Sequence, residues 1–413
     1  MTSVTVPGFL AELAGTRPSP DGTAALRAVL HARRLLTLKA LLLRYERQRA
    51  ELRPQTCARF ERDWALLEAA ERTDADAVRE VVDYPMTGAW LTEALAAPPG
   101  PPFERHLAHL GGLAAAAAVR AGRRGDVTRV DPSDALHLPG LGTLRGPATH
   151  LPGLGTLRGP AAGPSGTTAP ADRDDPAAWT PLAPLAGGAV LDDLDPYRVP
   201  AAGIGPGALR AAERGRVDHE RWGRLWRAAH ALLAAAHPER AAETRATVRA
   251  LVPLERPGPT AGPPISATRR AAPGAVLAEP PRDAGTLADL LVHETHHTKL
   301  AALGEAVPLL RPGADTLHRV AWRPDPRPAS GVLQGAYAHL ALLDLWWRAR
   351  AGPAVPPGWR LHAHSRFEAH RDEVAEALSI LRDSSELTSA GREFVRGMDR
   401  HLARLGTLTR HPA

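Results

Sequence analysis

Two histidines four residues apart, with a glutamate directly after the first, stand at His293, Glu294 and His297 in "TLADLLVHETHHTKLAAL". On an α-helix, positions i and i+4 share one face, so both imidazoles can reach a single metal ion at about 2.0–2.1 Å. Glu294 lies one step round, off the ligand axis but close enough to touch a metal-bound water. Such a pair suits a zinc ion with Glu294 as the base of a hydrolysis, and equally a redox metal that leaves positions open for substrates. His296, at i+3 from His293, is expected to face solvent or to support a ligand from behind.

A third ligand decides the class. The metzincin continuation H-E-x-x-H-x-x-G-x-x-H fails here, because Leu300 and Leu303 occupy its glycine and third-histidine positions. A thermolysin-like site would take a carboxylate from a later helix, with Glu368, Glu373 and Glu376 as candidates. The other donor is His339 in "GVLQGAYAHL", where Gly331 and Gly335 precede it at four-residue intervals. That bare stripe would let another helix approach closely. Arg323 and Arg327 flank Asp325 in "WRPDPRP", read as a proline-fixed loop, and a guanidinium is the natural bidentate clamp for a carboxylate. They are candidates for holding a substrate or co-substrate carboxylate, or for pairing with Asp325 and Asp344.

These residues need a frame. Residues 1–125 read as helices, with apolar positions at three- and four-residue spacing, as in Leu26, Val29, Leu30 and then Leu38, Leu41, Leu42. "PPFERHLAHLGGLAAAAAVRAG" reads as one helix. From 126 to 285, Gly and Pro become frequent and short β-like runs appear, "DALHL", "GAVLDDLD", "PPISATRR" and "GAVLAEP", interrupted by one helix, "DHERWGRLWRAAHALLAAAH". "PADRDDPAAWTP" reads as a mobile loop. A tandem repeat, "HLPGLGTLRGPAT" then "HLPGLGTLRGPA", fills 137–161; one copy is expected as a strand-turn segment and the other as a surface insertion. Residues 286–413 return to helix, carrying the HETHH helix (284–304), a helix through His339, a long one over 360–382 and a last one opened by "SELTSAGREF". The expected fold is α+β and predominantly helical: a zincin-like active-site helix packed on a small mixed or antiparallel sheet, the three regions forming one catalytic unit.

Composition narrows the partners. The chain of 413 residues carries a formal charge of +6, spread without long runs of one sign, and shows no basic stripe interleaved with aromatics, so nucleic acid is not an expected partner. One cysteine, Cys57, excludes an intrachain disulfide and a thiolate cage. The first residues lack a basic and then apolar signal, and no stretch reaches the roughly 18 apolar residues of a membrane span, so a cytoplasmic location away from membranes is expected.

The stretches "LDDLDPYR", "GAVLAEPPRDAGTLADLLVHETHHTKLAAL", "WRPDPRPASGVLQGAYAHLA" and "ELTSAGREFV" together resemble the HEXXH-motif domain family of ribosomal-peptide (RiPP) modification proteins. With "GAWLTEAL" and "HLGGLAAAAAVRAG" the resemblance spans most of the chain. It implies an iron(II)- and 2-oxoglutarate-dependent dioxygenase that hydroxylates a β-carbon of a ribosomally made precursor peptide, in some members beside a radical SAM maturase. His293 and His297 match the family's metal-binding pair and Glu294 its motif glutamate; His339, Arg323 and Arg327 fall in the family-like text, with roles that come from their chemistry. Two alternatives stand beside this expectation: a zinc metallopeptidase, and a non-catalytic domain that binds the precursor peptide.

Overall fold

The computed structural model describes residues 6–123, 135–145, 150–151, 155–156, 179–205, 207–255, 265–313 and 316–407. Seven helices come first: α1 (Val6–Ala14), α2 (Pro20–Gln48), α3 (Pro54–Thr73), α4 (Ala75–Val82), α5 (Pro85–Ala96), α6 (Pro101–Leu107) and α7 (Leu110–Arg120). Prolines at first-turn positions start α2, α3, α5 and α6, where the missing N–H costs nothing, and Ser19 caps α2 by accepting from the Gly22 amide at 3.0 Å. The helix expected over 101–122 is two. Its break coincides with the Trp90 indole donating to the His106 carbonyl at 2.8 Å, while the His109 amide closes a tighter turn on the same oxygen.

The middle of the chain supplies the strands β1 (Leu136–Leu138), β2 (Gly142–Leu144), β3 (His150–Leu151), β4 (Gly155–Thr156), β5 (Trp179–Pro181), β6 (Ala183–Pro184), β7 (Val190–Leu191), β8 (Arg210–Ala211), β9 (Ala250–Glu255), β10 (Ser266–Ala267) and β11 (Ala275–Ala278). Two helices lie between β8 and β9, α8 (His219–Ala236) and α9 (Pro238–Thr247), where one was expected. The second is short and reads as polar, so its sequence lacks an apolar stripe.

The principal sheet runs β10-β11-β9-β7-β6, with β8 also on β9; β9 is parallel to both β7 and β11, and β10 is an antiparallel edge. "ALVPLE", the central strand, was not among the expected runs. Pro253 inside it argues against a central strand, yet here its carbonyl accepts from Ala212 and its residue pairs in register with Ala278. Strand alternation divides two cores. Leu251, Val276 and Ala278 face one, shared with α8 and with helices still to come; Ala250, Val252, Leu254, Ala275 and Leu277 face the other, shared with α3, α5 and α7.

The repeat gives two small hairpins of identical register: His137 pairs with Thr143 in β1–β2, and His150 with Thr156 in β3–β4. The first joins β5 as a three-stranded sheet against α7. The rest of the second copy, and most of "PADRDDPAAWTP", lie outside the described residues.

The C-terminal part holds α10 (Ala284–Ala306), the hairpin β12 (Leu317–Val320) and β13 (Arg323–Pro328), and then α11 (Ala329–Ala351), α12 (Pro357–Asp383) and α13 (Ser389–Thr407). Asp283 caps α10 through the Thr286 amide at 2.8 Å, and Thr388 caps α13 through Gly391 at 3.0 Å. The fold is α+β and predominantly helical. Among the described residues no helix is long and apolar enough to cross a membrane.

Candidate metal centre

Helix α10 is buried almost all round. Between residues 291 and 300, only His293 and His297 retain partial exposure. They open into a cleft of ≈ 750 Å³ whose walls include Ser266 and Thr268 near β10, Arg323 at the start of β13, and Leu333 and Gln334 of α11. The i, i+4 spacing thus places both imidazoles on the one face of the helix that meets the cleft.

Their chemistry is set by what holds each ring. His297 Nδ1 donates to Gln334 Oε1 at 2.8 Å, which leaves Nε2 as the lone-pair nitrogen. That Nε2 lies 2.9 Å from His293 Nε2. Two nitrogens at about 2.0–2.1 Å from one metal and about 90–110° apart would stand about 2.8–3.4 Å from each other, so the pair is spaced to share one ion. Burial, reinforced by His297 and His339, holds the His293 imidazole well below its ordinary range, which keeps it neutral and able to donate a lone pair.

His339 is carried to this pair by α11. Its ring stands edge-to-face with His293, centroids 5.2 Å apart, and its Nδ1 donates to the Gly335 carbonyl at 2.8 Å, so Nε2 is again the free nitrogen. Burial depresses its pKa to about 4, with His370, His297 and Arg366 acting in the same direction. Trp322 stacks on its other side at 4.8 Å between centroids. The bare stripe that ends at His339 serves a different neighbour from the helix expected there. At Gly335 the close contact is the Trp322 indole, and at Gly331 it is the Arg327 side chain.

Glu294 completes the tightest group. Among the described residues, donor atoms of His293, Glu294 and His297 lie within 4.8 Å of one another, and His339 is outside that set. Ser266 Oγ donates to Glu294 Oε1 at 2.7 Å, whereas Oε2 is buried without a hydrogen-bond partner. Burial pushes this carboxyl above the usual range, against the pull of His297 and the hydroxyls of Ser266 and Thr268. A buried orphan oxygen beside two imidazoles is a donor set with room for a cation.

The carboxylates of α12 do not reach the pair. Glu368 is half-exposed with Oε1 3.5 Å from Arg350, Glu373 lies 3.2 Å from His370, and Glu376 is exposed. His296 is neither solvated nor beside the centre. Fully buried on another face of α10, it donates from Nδ1 to Val292 O and accepts at Nε2 from Arg240 Nη1 at 3.0 Å. Arg323 and Arg327 lie on the strand β13 instead of a loop, and both pair with Asp325, at 3.4 Å and 2.9 Å. Of the two, Arg323 lines the cleft. Asp344 pairs with neither: it is buried against Arg240.

Three contributors were not anticipated. Gln334 carried no spacing signal at all. Ser266 and Thr268 did, since they alternate in "PPISATRR" and so share one face of a strand, the face that meets Glu294. Arg269 and Arg270 also line the cleft, but Arg269 is bound to the Tyr197 carbonyl and Arg270 to Glu305. No family model matches the chain, and no curated protein matches it in sequence.

Proposed function

We propose that the chain is a peptide-modifying dioxygenase that takes iron(II) at His293 and His297 and hydroxylates a β-carbon of a ribosomally made precursor peptide with 2-oxoglutarate and O₂. The observation that carries the reading is the identity of the next imidazole: α11 brings His339 against His293, whereas every glutamate considered on α12 is engaged or exposed elsewhere. Nitrogen donors with carboxylate nearby suit iron(II) as well as zinc, so the donor set permits the redox metal.

When bound, iron(II) would supply the site for coupling decarboxylation of 2-oxoglutarate to insertion of one oxygen atom into a C–H bond, giving succinate, CO₂ and the alcohol. The chain's own contribution is positional. Gln334 and the Gly335 carbonyl each fix one imidazole tautomer, leaving Nε2 of His297 and of His339 as the nitrogens free to bind a metal. Leu300 and Leu333 line the inner wall and limit water there, while Arg323 offers a guanidinium for a carboxylate of the co-substrate. Ser266, on the edge strand β10, anchors the buried Glu294 at the wall of the cleft.

One observation favours the zinc metallopeptidase instead: the buried, proton-attracting Glu294 carboxyl within 4.8 Å of both histidine donors suits deprotonation of a water. Anaerobic loading with iron(II), followed by 2-oxoglutarate, O₂ and the cognate peptide, separates the two. A gain of one oxygen with succinate release, abolished in His339→Ala, supports the dioxygenase; a cut peptide with zinc, retained in His339→Ala, overturns it. Neither product with either metal leaves the precursor-binding domain as the reading, with or without its maturase.

A further inference from the structure

A second polar cavity lies on another face of α10. It measures ≈ 420 Å³ and opens between α2, α4, α9 and α10, and it shares Pro273 and Thr298 with the catalytic cleft. Its wall carries Arg27, Arg34, Arg79, Arg249 and Lys299 against Asp76, Glu80 and Asp83.

The charges do not cancel where they are buried. Lys299 is taken by the buried Glu243, and Glu80 is paired with Arg120 at 2.9 Å. Asp83 is shared three ways: 2.9 Å from His31 Nδ1, 3.5 Å from Arg79 Nε and 3.7 Å from Arg34 Nη1. Among the described residues, Arg27 and Arg249 have no acidic partner at ion-pair distance. Arg34 is 5 % exposed, its Nε has no hydrogen-bond partner, and its one counter-charge is the distant share of Asp83. Burial, with Arg33 and Arg249 adding like charge, depresses its pKa to about 10 despite Asp83. A buried guanidinium short of counter-charge is costly, and an entering anion would relieve that cost.

The rest of the wall selects the kind of anion. Leu26, Leu30, Pro273, Ala246 and Ala302 make half of it apolar, which favours an organic stem over an inorganic ion. Three acidic side chains on the same wall oppose the double charge concentrated on a phosphate more than a carboxylate head, even where a dicarboxylate carries its second charge at the far end of the stem. The volume falls within the roughly 300–1,000 Å³ of small-molecule sites.

We propose that this cavity binds an aliphatic carboxylate, its head held by Arg34 and Arg249 and its stem lying against Leu26 and Leu30. The carboxylate belongs either to an acidic side chain of a peptide or to a short free dicarboxylic acid. This site is independent of the reaction proposed above and needs no metal.

Isothermal titration calorimetry on the metal-free full-length protein tests it. The probes are a blocked pentapeptide with one central Glu, the same peptide with Gln, glutarate and inorganic phosphate. Saturable binding of a carboxylate probe is expected, absent for the Gln peptide and weakened at least about tenfold by Arg249→Gln, a partly exposed position that leaves the fold intact by circular dichroism. Arg323→Gln is expected to bind as the parent does, which locates the ligand outside the cleft that Arg323 lines. Tighter binding of the Glu peptide than of glutarate assigns the peptide source, and the reverse assigns the free acid. The proposal is overturned by no saturation with either carboxylate to about 10 mM, by equal binding of the Gln peptide, by preference for phosphate, or by unchanged affinity in Arg249→Gln.

Discussion

Replacing Gly335 with alanine should separate the stability of the protein from metal binding at the candidate centre. A Cβ at 335 would lie 2.8–3.0 Å from three indole atoms of Trp322, closer than carbon atoms tolerate, so the ring must move. Two opposed terms then act on global stability. Removing a glycine from a helix interior gains about 1 kcal/mol. Displacing the indole forfeits its stack on His339, worth about 0.5–1.5 kcal/mol, plus some strain of the crowded contact. Trp322 is partly exposed on a hairpin turn and can swing outward, so the strain relaxes and the net change stays within about 1 kcal/mol of zero. The site has no such compensation. His339 loses the plane that braces it at 4.8 Å, and loss of a supporting partner costs about 10–100-fold in metal affinity. Urea denaturation would read the first quantity and a competitive metal titration the second. Gly331→Ala is the control, because its Cβ would meet only the side chain of Arg327, nearest at 3.3 Å. Unchanged metal affinity in Gly335→Ala, or an equal loss in Gly331→Ala, would refute the argument that the indole positions His339.

Arg240 is fully buried and holds Glu243, Asp344 at 3.1 Å, the Thr16 carbonyl and His296, so Arg240→Met should lower unfolding free energy by about 3 kcal/mol or more in urea titrations; a loss below about 1 kcal/mol would mean that Lys299 and Arg348 already neutralise those carboxylates. Asp63, 4 % exposed, has its carboxyl pushed up to about 7 by burial, against the pull of Arg59 and Arg62. Its folded pKa exceeds its unfolded one, so its contribution is favourable below about pH 4 and is lost as the pH rises through 7; Asp63→Asn should gain on the parent over that window, reaching roughly 4 kcal/mol, and a pH-independent gap between the two proteins would sink the idea. Gly112→Ala would set a Cβ 1.9 Å from the His137 carbonyl oxygen and so force β1 off α7, with an expected loss of at least about 3 kcal/mol in thermal unfolding; an unchanged midpoint would show that this contact yields freely.

The legible part of the centre was the part carried by one helix. The spacing of His293 and His297, and the leucines flanking them, predict a helix over 284–304, and α10 covers Ala284–Ala306 with those leucines buried. The cap of α13 and the strand "GAVLAEP" were legible for the same reason. The prolines of "RPDPRP" make Arg323 and Arg327 read as loop residues, whereas the antiparallel pairing of β13 with β12 tolerates prolines at the edge of a two-stranded hairpin. The helical wheel puts His296 near His293 but says nothing of Arg240, which approaches from α9 and buries it away from the pair.

The sequence by itself determined which faces exist: the histidine pair on α10, the alternating strands, the capped ends and the predominantly helical α+β composition. Those features depend on neighbours within a turn or a pleat, where periodicity is fixed by the backbone. Only the tertiary structure decided what meets those faces. It set His339 beside His293, Gln334 behind His297, Ser266 against Glu294, and the glutamates of α12 elsewhere. Those pairings span about thirty to eighty residues and follow from how two cores close on opposite sides of one sheet, an outcome of summed burial that no local spacing encodes.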